Sequence, residues 1–583
     1  MAGRTVSDLW RSAVAAPPSR AAFLVEEDAG WREMGWVEAG LVVDELAAGF
    51  LSLGVRAGDR VSILSRSRLE WSLCDWALIS IGAIVVPIYP TSSALECAYI
   101  LGNSGARFVV CEDAEQHAKL VPVRRELEAL EQIVLVEGAA AGDDSIDVPG
   151  LREHGRVLLS ERPTAVEEER ERIGEDDVLT IVYTSGTTGP PKGCVLTQRN
   201  YRAMVDAVQR VDGLLEPGDV TVLYLPLAHT FARLVEFLGP AAGLAIAFCP
   251  DPLGVPDALT SVRPTIFPSV PRLYERVRAS VEASFDEARG GRRRAIAWAL
   301  RVGSRTSKRR RAGWRYSPGL ALEHALADRL VFSKVRARLG GRLRVAISGG
   351  APLGKEVAEF FATLGILILE GYGLTECTTA ATLNRPKGYR LGTVGPALDG
   401  VELRIAPDGE ILIRGEIVFQ GYYRDDEATR SVLEGGWLAS GDIGEIDADG
   451  FVTITDRKKD IIVTAGGKNV SPQNIEAALR ASKCVSEALV VGDRRPYLVA
   501  LLALDHEKVG KAAKTEEEVR ALIEGVVAEV NRGRGRVEQI RRFAILPRDF
   551  SQERSELTPT LKVRRRVCEQ HFREEIERLY GPS

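Results

Sequence analysis

The sequence predicts an α/β protein: a large N-terminal domain of layered α/β subdomains, a small sheet-rich subdomain at its end, and a small C-terminal α/β domain. Three observations predict this. Short β-branched runs alternate with stretches of helical spacing through the first part of the chain, strands crowd together from Gly409, and a helix-start signal opens a further α/β stretch after Lys459. At 583 residues, with 45% hydrophobic and 27% charged side chains, the chain is too long for one core and globular in composition.

The elements follow in order. "RVSILS" at 60–65, "ARFVVC" at 106–111 and "EQIVLV" at 131–136 read as strands, and Leu69 to Leu78 has helical spacing. "GEILIRG" from Gly409 and "GEIDADGFVTITDRKKDIIV" from Gly444 read as closely spaced strands with "DADG" as a hairpin turn. In "SPQNIEAALRAS", Ser471 is placed to cap a helix, with Pro472 at its first position.

Charge and cysteine usage narrow the function classes. A net charge of −5 gives no reason to expect a nucleic-acid partner. The eight cysteines form no Cys-x-x-Cys pair, which fits reduced thiols in a cytoplasmic protein. No basic start leads into an apolar run, and "WALISIGAIVVPI" and "GPAAGLAIAFC" both fall short of the roughly 20 residues needed to span a bilayer. The expectation is a soluble cytoplasmic chain that touches a membrane at most peripherally.

"YTSGTTGPPKG", from Tyr183 to Gly193, concentrates glycines, hydroxyls and one lysine between apolar runs. Successive N–H groups in such a turn form a nest for anions, and a phosphate chain is the natural guest. The frame is not a Walker loop, because Lys192 is followed by Gly193. Alone, the same composition also describes an ordinary solvated loop.

Companions occur in a definite order: "LPLAHTFAR" at 225–233, "SGGAPL" at 348–353, "GYGLTE" at 371–376, "SGD" at 440–442, "DRKKD" at 456–460 and "LTPTLKVRR" at 557–565. Together these motifs resemble the acyl-adenylate-forming superfamily over nearly the whole chain. "PSVPRLYERV" at 268–277 and "VFSKVRARLGGRLRVAISGGAPL" at 331–353 are similar to its long-chain fatty-acid–CoA ligase branch.

The resemblance implies ATP, Mg2+ and CoA as cofactor and cosubstrates and a fatty acid as substrate. It implies an AMP-binding domain over 1–455, a hinge at 456–460 pivoting on Lys459, and a mobile C-terminal domain over 461–583. Thr184, Ser185, Gly186, Thr187, Thr188, Gly189 and Lys192 would hold the phosphates, where charge grows on leaving pyrophosphate. Glu376, with Thr184, would meet magnesium, a hard cation that keeps most of its waters. Gly349, Gly350, Ala351 and Pro352 would flank adenine together with Glu370, Gly371, Tyr372, Gly373 and Thr375. Asp442 would bind the ribose hydroxyls and Arg457 ribose or phosphate.

His229 would lie beside the acyl carboxylate, although a lone histidine in "PLAHTF" also reads as a hydrogen-bonded core residue. Lys562 would stabilise the adenylation transition state, an assignment that rests on "LTPTLK" because the stretch is basic throughout. Gly466 and Lys468 would serve CoA. Ser440, Asp456 and Ala232 depart from common family choices, Ala232 putting acyl-side detail in question. An aryl-acid–CoA ligase, a ligase delivering acyl-AMP to a carrier protein, and a non-catalytic nucleotide-binding relative stand as alternatives; the retained Lys192, Glu376, Asp442, Arg457 and Lys562 favour an enzyme.

Between Arg292 and Arg315 lie ten basic residues and no acid, interleaved with Trp298, Leu300, Val302 and Trp314. This reads equally as an amphipathic segment lying on an anionic membrane and as a solvated helical face or a disordered insertion.

Overall fold

Strands buried on both faces form the centre of the largest sheet, as parallel strands covered by helices must be. Arg60–Leu64, Ile84–Ile88 and Phe108–Cys111 pair in parallel with apolar side chains on both faces. This computed structural model describes residues 5–16, 21–27, 30–138, 144–184, 190–465, 468–558 and 563–581. The full sheet has eight strands, in the order Gly421–Tyr422, Lys192–Thr197, Val178–Thr184, Ile84–Ile88, Arg60–Leu64, Phe108–Cys111, Gln132–Leu135 and Ser145–Asp147. Val178–Thr184 and Lys192–Thr197 pair antiparallel, with Thr184 opposite Lys192 at the ends of the segment read as a phosphate nest.

A second sheet aligns Ile266–Ser269, Val345–Ser348 and Ile368–Tyr372 in parallel. "SGGAPL" and "GYGLTE" follow the carboxyl ends of its last two parallel strands, the edge at which open α/β sheets present ligand-binding loops. A third sheet pairs Val220–Leu223, Ala245–Phe248, Ala21–Glu27 and Gly30–Gly35.

The helix Thr230–Ala242 is fixed from within the core. Arg233 and Asp75 are both fully buried and paired in two contacts, Nη2 to Oδ1 at 2.6 Å and Nε to Oδ2 at 3.0 Å. Burial, with Asp75 beside it, pushes the Glu236 carboxyl well above its usual range, and Ser72 donates to it. Breaking one partner of such a buried pair typically costs about 3–5 kcal/mol, so this helix start is rigidly placed. The preceding loop is pinned too: Ser67 Oγ donates to the Leu225 carbonyl and accepts from the Leu227 N–H, both at 2.7 Å.

The sheet-rich unit is antiparallel, built from Glu402–Ile405, Glu410–Arg414, Leu433–Glu434, Trp437–Ile446 and Val452–Arg457. Asp447 Oδ1 accepts from the N–H groups of Asp449 and Phe451 at 2.9 Å each, closing the expected "DADG" turn. Residues 458–460 form a turn beyond Arg457. Thereafter Val485–Val491, Leu498–Leu504 and Ile540–Ile545 form a separate three-stranded sheet with its own core. This module rests on the helix Pro271–Asp286 through Arg272 with Glu487 and Lys483 with Asp286, the latter at 2.8 Å.

Two local expectations differ from what is found. The helix Pro472–Arg480 begins where expected, but Ser471 does not cap it; its hydroxyl donates to the Thr455 carbonyl at 2.8 Å, tying the helix to the preceding sheet. The arginine-rich segment is an integral helix, Gly290–Arg311, that buries Ile296, Ala299 and Val302, with Trp298 and Leu300 packed on the same core. Its apolar side therefore faces the protein, not a membrane. Among the described residues no helix is long and apolar enough to cross a bilayer.

Candidate active site

The strand pair Val178–Thr184 and Lys192–Thr197 supplies the first wall. Thr184 lies opposite Lys192 in register, and its Oγ1 donates to the Lys192 carbonyl at 3.4 Å. Ser185, Gly186, Thr187, Thr188 and Gly189 lie outside the described residues, so the structure fixes only the two ends of the nest. The Lys192 ammonium sits 5.0 Å over the Tyr422 ring and 4.0 Å from Asp425 Oδ2.

Tyr422 joins this wall to the next. It stands on a two-residue strand paired with Lys192–Thr197, and its hydroxyl donates to Glu376 Oε1 at 2.7 Å. Burial, reinforced by Glu376, pushes the Tyr422 hydroxyl far above its usual acidity range, so it remains a donor. Sequence reasoning missed Tyr422; the available signal was a paired "YY" after Gly421 in a polar stretch.

The second wall is the segment Glu370 to Glu376. Gly373 runs so close to Thr379 that a Cβ there would lie 2.2 Å from its carbonyl oxygen, which excludes any side chain. The Tyr372 hydroxyl donates to Asp442 Oδ2 at 2.8 Å, and Arg457 Nε lies 3.1 Å from Asp442 Oδ1. Asp442 and Arg457 face each other across neighbouring strands, with the Asp442 carboxylate 5% and the Arg457 side chain 50% exposed. The arginine thus reaches outward from a buried acid. Gly371 and Thr375 complete this segment, Thr375 opening the 3-10 turn that carries Glu376.

Glu370 plays a different part from its flanking motif. Its side chain turns inward, and Oε2 accepts the Leu353 N–H at 3.3 Å, bracing the 349–352 loop. Burial pushes its carboxyl up to about 7, against the backbone hydrogen bonds from Leu353 and Gly392 that favour ionisation. Gly350 adopts φ +81°, a conformation that favours glycine, and leaves Ala351 and Pro352 exposed at the rim. Gly349 approaches the Phe231 ring, where a Cβ would meet Cε1 at 3.4 Å.

That contact brings in His229. The residue is the N-cap of the helix Thr230–Ala242, and its Nδ1 accepts the Phe231 N–H at 3.2 Å. A lone pair held this way leaves the proton to Nε2 in the neutral ring. Lys192, Tyr422, Glu376, Tyr372, Asp442, Arg457, Glu370, the 349–352 loop and His229 therefore converge through direct contacts and short connecting turns.

Two other expected residues are exposed to solvent. Lys459 is exposed in the 458–460 turn, and Lys468 is exposed in the C-terminal module, its N–H bonded to Thr464 Oγ1 at 3.3 Å. Gly466 and Lys562 lie outside the described residues. The flank of Lys562 is placed nonetheless: Arg564 Nη2 lies 3.7 Å from Glu96 on the helix Ala94–Ser104. Tyr99 of that helix packs edge-on against Tyr183, the first residue of the phosphate hairpin motif, at 6.4 Å between rings. Glu556 anchors the same flank, taking two hydrogen bonds from Arg548 at 2.6 and 2.7 Å. This second anchor also went unseen in the sequence.

Known proteins similar to this chain share its family and its fold. A family model described as AMP-binding enzyme matches residues 10–423, and one described as AMP-binding enzyme C-terminal domain matches 459–583. The chain is 39% identical over 573 residues to the long-chain-fatty-acid–CoA ligase FadD15 of Mycobacterium bovis, covering 95% of this chain and 93% of that protein. It is 31% identical over 645 residues to the long-chain-fatty-acid–CoA ligase ACSBG2 of Gallus gallus, covering all of this chain and 82% of that one. In fold it is similar to the anthranilate CoA ligase AuaEII in complex with anthranoyl-AMP, at TM-score 0.75 and 22% identity over 98% of both chains. The adenylation domain of a carboxylate reductase from Mycobacterium chelonae is similar at TM-score 0.76 and 22% identity, covering 99% of this chain and 91% of that one.

Proposed function

The chain belongs to the AMP-binding enzyme family, and from that premise we propose that it activates a fatty acid with ATP and transfers the acyl group to CoA. The observation that carries this reading is the contact chain from Lys192 through Tyr422 to Glu376, beside Tyr372–Asp442–Arg457. It sets a cation and hydroxyls for phosphates next to a buried acid for ribose. The names of the relatives extend the reading to long-chain acids.

In the first half-reaction a carboxylate oxygen of the acid bonds to the α-phosphorus as the α–β bridging P–O bond breaks. Acyl-AMP forms and pyrophosphate departs with the bond electrons. Lys192 and the 184–189 loop meet the charge that grows on pyrophosphate, and Lys562 meets that between the carboxylate and the α-phosphate. Asp442 fixes the ribose, and the 349–352 loop braced by Glu370 borders the adenine. His229 sits at the acyl end.

In the second half-reaction the CoA sulfur attacks the acyl carbonyl and AMP leaves. The C-terminal module, linked through the 458–460 turn, would rotate about Lys459 to exchange Lys562 for the Gly466 and Lys468 loop. Domain limits of 1–455, 456–460 and 461–583 belong to this proposal.

Magnesium fits the donor set as ATP's counterion. Glu376 offers one carboxylate, steadied by Tyr422, and Thr184 one hydroxyl; a small hard cation keeping its waters needs few protein ligands. When bound it would neutralise phosphate charge. Contact with an anionic membrane, from which a fatty acid could be drawn, is the remaining part of the reading.

The test is pyrophosphate release across acids from acetate to stearate, with and without CoA. The expected result is release that rises with chain length and thioester only with CoA. Release confined to aryl acids, or acyl-AMP that CoA never discharges, would overturn the assignment.

A further inference from the structure

We propose that Glu487 is a positioning residue for adenylation: its carboxylate seats the C-terminal module on the body of the protein through Arg272, and passes to Arg480 when the module turns. This rests on the two-step reading above and acts through Lys562, which the module carries. What it adds to that reading is the pair of partners that sets the balance between the two placements.

Glu487 stands on the strand Val485–Val491, with its side chain 5% exposed. Its two oxygens face two cations of different origin. Arg272 Nη2 donates to Oε1, and Arg272 belongs to the first turn of the helix Pro271–Asp286 in the body. Oε2 lies 4.0 Å from Nη1 of Arg480, the last residue of the helix Pro472–Arg480, which shares the module's own core with that strand. Among the described residues no other cation lies within 4.0 Å of Glu487. Burial pushes its carboxyl above the usual range, the two guanidiniums oppose this, and Glu275 and Asp549 add to it. A buried charge must be paired, so Glu487 needs one arginine wherever the module stands. A turn of the module leaves Arg272 behind and carries Arg480 along. The two placements therefore differ in which arginine holds the acid.

A second crossing gives the seat its direction. Lys483 lies 2.8 Å from Asp286 and 3.9 Å from Glu282 on the same body helix. The body thus supplies the cation at the start of that helix and the acids at its end, and this opposite polarity admits the module in one orientation. In this seat Arg564, two residues beyond Lys562, lies 3.7 Å from Glu96 on the helix whose Tyr99 packs on Tyr183. The placement held by Glu487 is the one that brings the flank of Lys562 to the phosphate side.

The experiment measures the half-reactions separately in Arg272→Gln, Arg480→Gln and Glu487→Gln: pyrophosphate release in a single turnover, and discharge of supplied acyl adenylate by CoA. Arg272→Gln is expected to lose about fivefold or more in pyrophosphate release and to keep the rate of discharge. Arg480→Gln is expected to do the reverse, because it removes the partner of the turned placement. In the Glu487→Gln background neither arginine substitution should change the ratio of the two rates further. Release of the module by trypsin at Arg457, Lys458 or Lys459 reads the seat without substrate; Arg272→Gln should raise it about fivefold, and Arg480→Gln should not. Arg272 and Arg480 are 33% and 38% exposed, so the arginine variants decide the matter even where Glu487→Gln fails to fold. Equal losses in both half-reactions for Arg272→Gln, the same direction of change for the two arginine variants, or unchanged cleavage would overturn the proposal. Absent pyrophosphate release from every acid, with cleavage responding as expected, would strike the ligase reading and leave the seat through Glu487 standing.

Discussion

The Tyr422 hydroxyl donates to Glu376 Oε1 at 2.7 Å. The same ring lies 5.0 Å beneath the Lys192 ammonium, so one aromatic side chain spaces the cation of the phosphate loop from the proposed magnesium ligand. Tyr422→Phe removes the donor and keeps the ring. A hydrogen bond to a charged group is worth about 1.5–3 kcal/mol, so adenylation is expected to fall roughly ten- to a hundredfold. The loss should appear in the magnesium and ATP dependence of pyrophosphate release and leave the KM for the acid unchanged. Tyr422→Leu, which also removes the ring under Lys192, should cost more.

Why the sequence hid Tyr422 is instructive. The strand Gly421–Tyr422 has two residues and pairs with Lys192–Thr197 more than two hundred positions earlier, so no local pattern announces it. By contrast, the "DADG" turn was legible, because turn residues and flanking alternation are local signals. The arginine-rich segment stayed open between a membrane face and a solvated helical face for the opposite reason. Its charges are local, but whether Ile296, Ala299 and Val302 face a core or a membrane depends on packing. Ser471 kept its helix start and lost its cap because the Thr455 carbonyl took its hydroxyl.

Glu370 gives a pH test. Its carboxyl is raised to about 7 by burial, so the folded state favours the protonated form. The stabilisation is fully present below the unfolded value near 4.5 and is lost as pH rises through 7. A shift of this size corresponds to about 3 kcal/mol. Glu370→Gln cannot ionise, so the parent-minus-variant difference in unfolding free energy should fall from about pH 5 to about pH 8. A flat difference in denaturant titrations would contradict the burial.

Glu556 is expected to act on adenylation through Lys562. Burial opposes its ionisation, but hydrogen bonds from Arg548 and His571 outweigh this and hold the carboxyl down to about 2. Its main-chain carbonyl also accepts the Arg564 N–H at 2.7 Å, so the flank of Lys562 hangs on this residue. Lys562→Ala should reduce pyrophosphate formation about a hundred- to thousandfold while sparing thioester formation from supplied acyl adenylate. Glu556→Gln should show the same split with a smaller loss, and a lowered unfolding temperature. Equal losses in both half-reactions would remove Glu556 from a positioning role.

The last prediction concerns the turn at Lys459. Lys458 N–H donates to the Gly441 carbonyl at 2.8 Å and Asp460 N–H to the Arg457 carbonyl at 2.9 Å, so the backbone on either side of Lys459 is tied to the sheet-rich unit. Among the described residues the Lys459 N–H makes no backbone hydrogen bond. Proline there removes no such bond; it fixes φ near −65° and restricts Lys458 as well. If the module must rotate between half-reactions, Lys459→Pro should still release pyrophosphate in a single turnover and accumulate bound acyl adenylate, which CoA then fails to discharge. Lys459→Ala keeps the rotational freedom and discards the ammonium, so it should retain most of the second step. A proline variant that folds normally and makes acyl-CoA at the parental rate would show that the dihedrals of residue 459 do not change during turnover. The exchange of Lys562 for the Gly466 loop would then need another pivot.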